Sequence, residues 1–172
     1  GERIPMVRQE LEQRIAGLSS TASGLADQLI GWARNQGLTG RELIPYELIQ
    51  VKTKALAGDT QAAARIMKGI YEELPNDPTI MTQYGETLLA TDSEANWKES
   101  QKIFYKLITA YNNTKPLPEA YWNAWVRWLQ AAEKLGNTDK IPGRVAALKG
   151  ADPNLGGQPY KRLLEELQQR NR

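Results

Sequence analysis

The chain has 172 residues, 22 basic against 20 acidic side chains, 41% apolar and 24% charged. That is long enough for one domain with a continuous core, outside the disordered range, and too nearly neutral to hold a polyanion such as DNA without a local patch. It contains neither cysteine nor histidine, which removes disulfides, thiol nucleophiles, the usual zinc ligands and any imidazole base, so no catalytic, metal or cofactor chemistry is expected.

Taken in order, residues 4–18 carry Val7, Leu11, Ile15 and Leu18 at helical spacing, with Pro5 tolerated in the first turn. Ser19, Ser20 or Thr21 is placed to cap a second helix bearing Leu25, Leu29, Ile30 and Ala33. Gly24 and Gly31 weaken that helix by about 1 kcal/mol each, and Gly37 ends it. A third helix is expected over residues 41–57, closed by Gly58, and Thr60 is placed to cap a fourth with the stripe Ala63, Met67, Ile70 and Leu74. Asp77 and Pro78 have the N-cap and first-residue pattern of a fifth helix, residues 78–90. A turn at 91–96 precedes a sixth with Trp97, Phe104, Leu107, Ile108 and Tyr111, broken at Pro116. The seventh, residues 118–135, carries Tyr121, Trp122, Trp125 and Trp128 and stops at Gly136. Thr138 or Asp139 caps an eighth with Val145 and Leu148. The loop 152–157 leads to a last helix with Tyr160, Leu163, Leu164 and Leu167, and its oxygen ligands lack the alternating acidic spacing of a calcium loop. No alternating strand pattern occurs, and no run approaches the roughly 18 apolar residues of a membrane span.

Three of these stretches share one spacing. Leu48, Val51 and Ala55 precede Gly58; Met81, Tyr84 and Leu88 repeat them 33 residues on; Trp125, Trp128 and Ala132 do so again before Gly136. The 33-residue interval between the first two, close to the roughly 34 of a helical-hairpin repeat and lengthened to 44 before the third, with apolar positions at helical spacing, is read as helix-turn-helix repeats stacked into a solenoid.

Met81, Tyr84-Gly85 and Leu88, followed by Ser100, Phe104 and Leu107, resemble the two-helix pattern of tetratricopeptide repeats (TPR): a bulky residue, a glycine beside a large residue, then a small residue and an aromatic on the second helix. Leu48, Val51 and Ala55 with Ala63, Met67, Ile70 and Pro75 resemble a second copy, and Trp125, Trp128 and Ala132 with Val145, Leu148 and Pro153 a third. The glycine is replaced by Lys52 in one copy and Leu129 in another. The resemblance implies an all-α, right-handed α-α superhelix of about nine helices in antiparallel hairpins. It would form one domain over residues 1–172: an N-terminal hairpin at 2–37, about three TPR-like repeats at 41–153 and a capping helix at 157–170. The start at Gly1 is read as that of a piece excised from a longer, bacterial protein, with cytoplasm and cell envelope both open.

In such stacks the first helix of each pair lines the concave surface. The helical wheel sets Asn123, Arg127, Gln130 and Lys134 opposite Tyr121, Trp125 and Trp128. Thr82, Gln83 and Glu86 on the fifth helix and Glu47, Gln50 and Lys54 on the third are the equivalent ladders. Together they suit an extended peptide or partner helix, unless they are simply solvated faces. A carboxylate clamp is not expected, because Asn123 and Arg127 match only a fragment of that set while Glu47 and Gln50 stand in the first copy. Trp122, about 100° from the core line, is expected to face outward, while Trp32 and Tyr160 are candidates either for exposure or for core roles. These aromatics raise the alternative of a carbohydrate- or cell-wall-binding domain. A regulatory domain attached to an enzyme is the third reading. Glu72-Glu73 and Glu165-Glu166 are adjacent rather than facing pairs and are read as solvated. A protein or peptide partner is expected, not nucleic acid, and the oligomeric state is left open.

Overall fold

Helix α1 (Arg3–Asn35) runs for 33 residues without a break. The computed structural model describes the backbone of residues 3–172 and the side chains of 13, 14 and 16–172. The hairpin expected at 2–37 is therefore a single helix. Instead of capping a new helix, Thr21 donates its hydroxyl to the Gly17 carbonyl at 3.0 Å, one turn back in the same helix. Nothing between 19 and 33 forces a stop: there is no proline, and the first left-handed residue is Gly37 at φ +83°. Ser23, Ala26, Ile30 and Ala33 are buried at helical spacing, where packing on α2 offsets the low propensity of Gly24 and Gly31. Val7, Leu11 and Ile15 have side chains outside the described set. With the first two expected helices merged, the described residues form eight α-helices rather than about nine, one short 3-10 turn and no strand.

The chain divides into two compact units, 1–75 and 76–172. In the first, the 3-10 turn Gly40–Glu42 precedes α2 (Ile44–Leu56), which packs between α1 and α3 (Thr60–Glu73). The third helix thus starts three residues later than expected, at a position where Pro45 fits the first turn. Asp59, one residue ahead of the expected Thr60, caps α3 by accepting the Ala62 N–H at 3.0 Å. Its carboxylate also suits the positive end of the helix dipole. Ala63, Ala64, Met67 and Ile70 bury against this core.

In the second unit, α4 (Pro78–Leu89) begins as expected: the Asp77 carboxylate accepts the Thr79 and Ile80 N–H groups at 2.8 and 3.0 Å. Helix α5 (Glu94–Tyr111) packs on both α4 and α6 (Glu119–Lys134). Gly85 is the reason α4 and α5 approach so closely, since a Cβ there would meet the fully buried Phe104 ring at 2.7 Å. Ser100 completes the contact by donating to the Gly85 carbonyl at 2.8 Å. Helix α7 (Ile141–Ala151) departs from the repeat pattern. Neither Thr138 nor Asp139 caps it, for Lys140 holds that place without a side-chain bond. It packs chiefly on α8 (Tyr160–Arg170) and touches α6 only sparsely, while α8 leans on α6. The turn before α8 is built by Asp152, which accepts the Asn154 and Gly156 N–H groups, and by Leu155, fully buried at φ +49°.

Candidate functional site

Helix α6 separates two clefts, one on each side. Arg127, Gln130 and Lys134 recur at i, i+3 and i+7 on one face. Together with Glu133, they line a cleft of about 540 Å³ with Glu86, Leu89 and Ala90 from the α4 end and Arg170 from α8. Four residues of the expected polar ladders, Glu86, Arg127, Gln130 and Lys134, thus meet in one concavity. Arg127 Nε donates to Glu86 Oε1 at 2.9 Å and its Nη1 to Gln130 Oε1 at 3.1 Å. Arg170 grips Glu133 with two bonds of 2.6 Å, and Asn171 Nδ2 adds a third at 2.9 Å. Lys134 makes no ion pair among the described residues; its Nζ stands 4.8 Å from the centroid of the Trp97 ring. The cleft therefore holds two carboxylates and three cations, and Lys134 carries the charge left over.

The Glu133–Arg170 pair is held in its charged form. The hydrogen bonds from Arg170 hold the Glu133 carboxyl below the ordinary carboxylate range against the opposing effect of burial, and Glu133 in turn raises Arg170. At the start of α8, Tyr160 donates its hydroxyl to Glu119 Oε1 at 2.7 Å. Burial, then that bond, push its pKa up to about 12, with smaller influences from Arg127 and Glu86. These shifts all move away from neutrality, so the groups present fixed donors and acceptors. That is a surface for recognition by hydrogen bonds and charge.

No family model, curated protein or solved structure matches the chain.

The remaining ladder residues lie elsewhere. Asn123 is half-buried on α6. On α4, Thr82 returns its hydroxyl to the Pro78 carbonyl, and Gln83 keeps a buried Oε1 without a hydrogen-bond partner. Glu47, Gln50 and Lys54 belong to the first unit, where their partners are on α1. Gln50 and Lys54 both donate to Asp27 at 2.6 Å, holding its carboxyl below the usual range. Glu47 stands 3.8 Å from Arg34, and burial outweighs that arginine in raising its pKa.

Trp122 requires a correction. Expected to face outward, it is 4% exposed, because the loop before α8 folds back over it and the backbone at Gly156 lies where a Cβ would collide with the indole. Tyr121 is also buried, edge-on to Trp122 at 5.2 Å, whereas Trp125 and Trp128 are only half-buried. Trp128 lines the second cleft, about 450 Å³, with Gln101, Asn137, Asp139, Lys140 and Arg144, where α7 stands off from α6. Trp32 is exposed on α1. Sequence reasoning missed Glu133 and Arg170. Their bidentate pair joins residues 37 apart, and only the polar character of Glu133 beside Gln130 pointed that way. Glu72 and Glu73 are exposed, while Glu165 and Glu166 pair with Lys149 and Arg162. Among the described residues no group of three or more Asp and Glu could hold a metal ion, and no helix is long and apolar enough to cross a membrane.

Proposed function

We propose that the protein is a noncatalytic protein-protein interaction module whose cleft between α4, α6 and α8 binds an extended peptide or a partner helix. The observation that carries this reading is the convergence of Glu86, Arg127, Gln130 and Lys134 in one cleft with Arg170. In this reading the hairpins are degenerate TPR-like repeats with right-handed superhelical stacking. Support comes from the sequential pairing of α4, α5 and α6 and the glycine-aromatic contact of Gly85 with Phe104. The apolar stretch at Leu89 and Ala90 would receive a side chain of the partner. The mutually paired Arg127 and Glu86 would exchange part of their bonding for backbone groups, and Lys134 would face an acidic residue.

Selection from a random peptide library, followed by calorimetry on the selected sequences, tests this. Acidic-apolar peptides are expected, and Lys134→Glu should weaken them by roughly tenfold to a hundredfold, more steeply at low salt. Glu72→Lys, on exposed α3, should leave binding unchanged. Selected peptides that bind equally well to the Lys134→Glu and Arg127→Ala variants would end the proposal.

A further inference from the structure

Helix α1 has a second face. Opposite the stripe it buries against α2, Leu18, Leu25 and Trp32 are 71%, 59% and 53% exposed. They are spaced by seven, so they form one ridge along the helix. Gly17, Gly24 and Gly31 share that spacing, and a Cβ added at any of them would meet nothing within 4 Å. By the 100° helical period, ridge and glycine groove both lie more than about 100° from the buried stripe. Thr21, between them, has its hydroxyl turned onto its own helix, and residues 15–26 include no charged side chain.

We infer that this face of α1 pairs with the same face of a second copy of the chain. A ridge and a groove with one period on one helix are self-complementary: under a twofold axis each copy's Leu18, Leu25 and Trp32 settle against the other's glycines. The glycines let the two backbones approach closely, and the uncharged stretch 15–26 keeps like charges, the usual obstacle to pairing identical surfaces, away from the part of the contact around Leu18 and Leu25, while Asp27 at its flank is neutralised by Lys54 of its own copy. Contact along about 24 Å of helix removes roughly 500–600 Å² from each copy, about 1,000–1,200 Å² in all, at the lower edge of what a specific interface needs. A weak dimer is expected, with a dissociation constant within about 1–500 µM.

Sedimentation equilibrium of the 172-residue chain from about 1 to about 500 µM should show the mass rising from monomer to dimer. Leu25→Glu should weaken the dimer by about a hundredfold while leaving helicity unchanged, because Leu25 is not in the core. The cysteine-free sequence adds a direct probe. Leu25→Cys should oxidise to a disulfide-linked dimer at least about tenfold faster than Lys68→Cys, a control on the exposed surface of α3. A monomer at all concentrations, a dimer indifferent to Leu25→Glu, or equal oxidation rates for the two cysteine variants would overturn the inference.

Discussion

Two glycines show how a single residue decides packing. At Gly85 a methyl group would meet the Phe104 ring at 2.7 Å, and Phe104 is fully buried and has nowhere to go. Gly69, inside α3, has open space. Gly85→Ala is therefore expected to destabilise by about 1–3 kcal/mol, whereas Gly69→Ala should stabilise by about 0.5–1 kcal/mol through the unfolded chain. Urea unfolding midpoints would check both, and a neutral Gly85→Ala would contradict the close α4–α5 contact. The importance of Gly85 was legible beforehand because a large-residue-glycine pair at repeat spacing has one common use. Burial of Trp122 was not: the helical wheel orients a residue within its helix but is blind to a loop returning from residues 152–157.

At the scale of elements, helix ends followed local chemistry wherever one cap dominated, as with Asp77 before Pro78. Where several polar residues compete, local chemistry alone does not single out a helix start. Ser19, Ser20 and Thr21 looked like a start signal, yet a hydroxyl can bond within a helix as well as cap one. Beside the buried Leu164 and Leu167, α8 is tied to α6 by the Arg170–Glu133 pair. Since the folded state holds the Glu133 carboxyl below its ordinary value of 4.5, the pair contributes stability above about that pH. The contribution is lost as the pH falls through the lowered folded pKa. At neutral pH Glu133→Gln should cost about 1 kcal/mol, a figure already discounted for the half-exposed arginine. Its stability should also fall less steeply than the wild type's between about pH 5 and pH 3. Parallel curves from pH-dependent denaturation would remove the assigned role of this pair.

For the molecule as a whole, the two units differ in what they bury. Residues 76–172 enclose Phe104, Leu107, Tyr121, Trp122, Leu129, Ile141, Leu155, Leu164 and Leu167, whereas among the described residues of 1–75 the core sets the smaller Ala26, Ala33, Val51, Ala63 and Ala64 around Ile30, Leu43, Ile44, Met67 and Ile70. Below about 70–80 residues a single core supplies only a few kcal/mol. A fragment of residues 76–172 is therefore expected to unfold cooperatively by circular dichroism, and one of residues 1–75 to be marginal or largely unfolded. The reverse order of stability would contradict the assigned difference between the two cores. Helix identity and most helix ends could be read from the chain because they depend on residues within one or two turns: periodic apolar positions, an acidic cap, a glycine stop. Which aromatics face solvent, and which charges pair, could not. Arg170 with Glu133 and Tyr160 with Glu119 join positions about forty residues apart, and only packing brings such groups within hydrogen-bond reach.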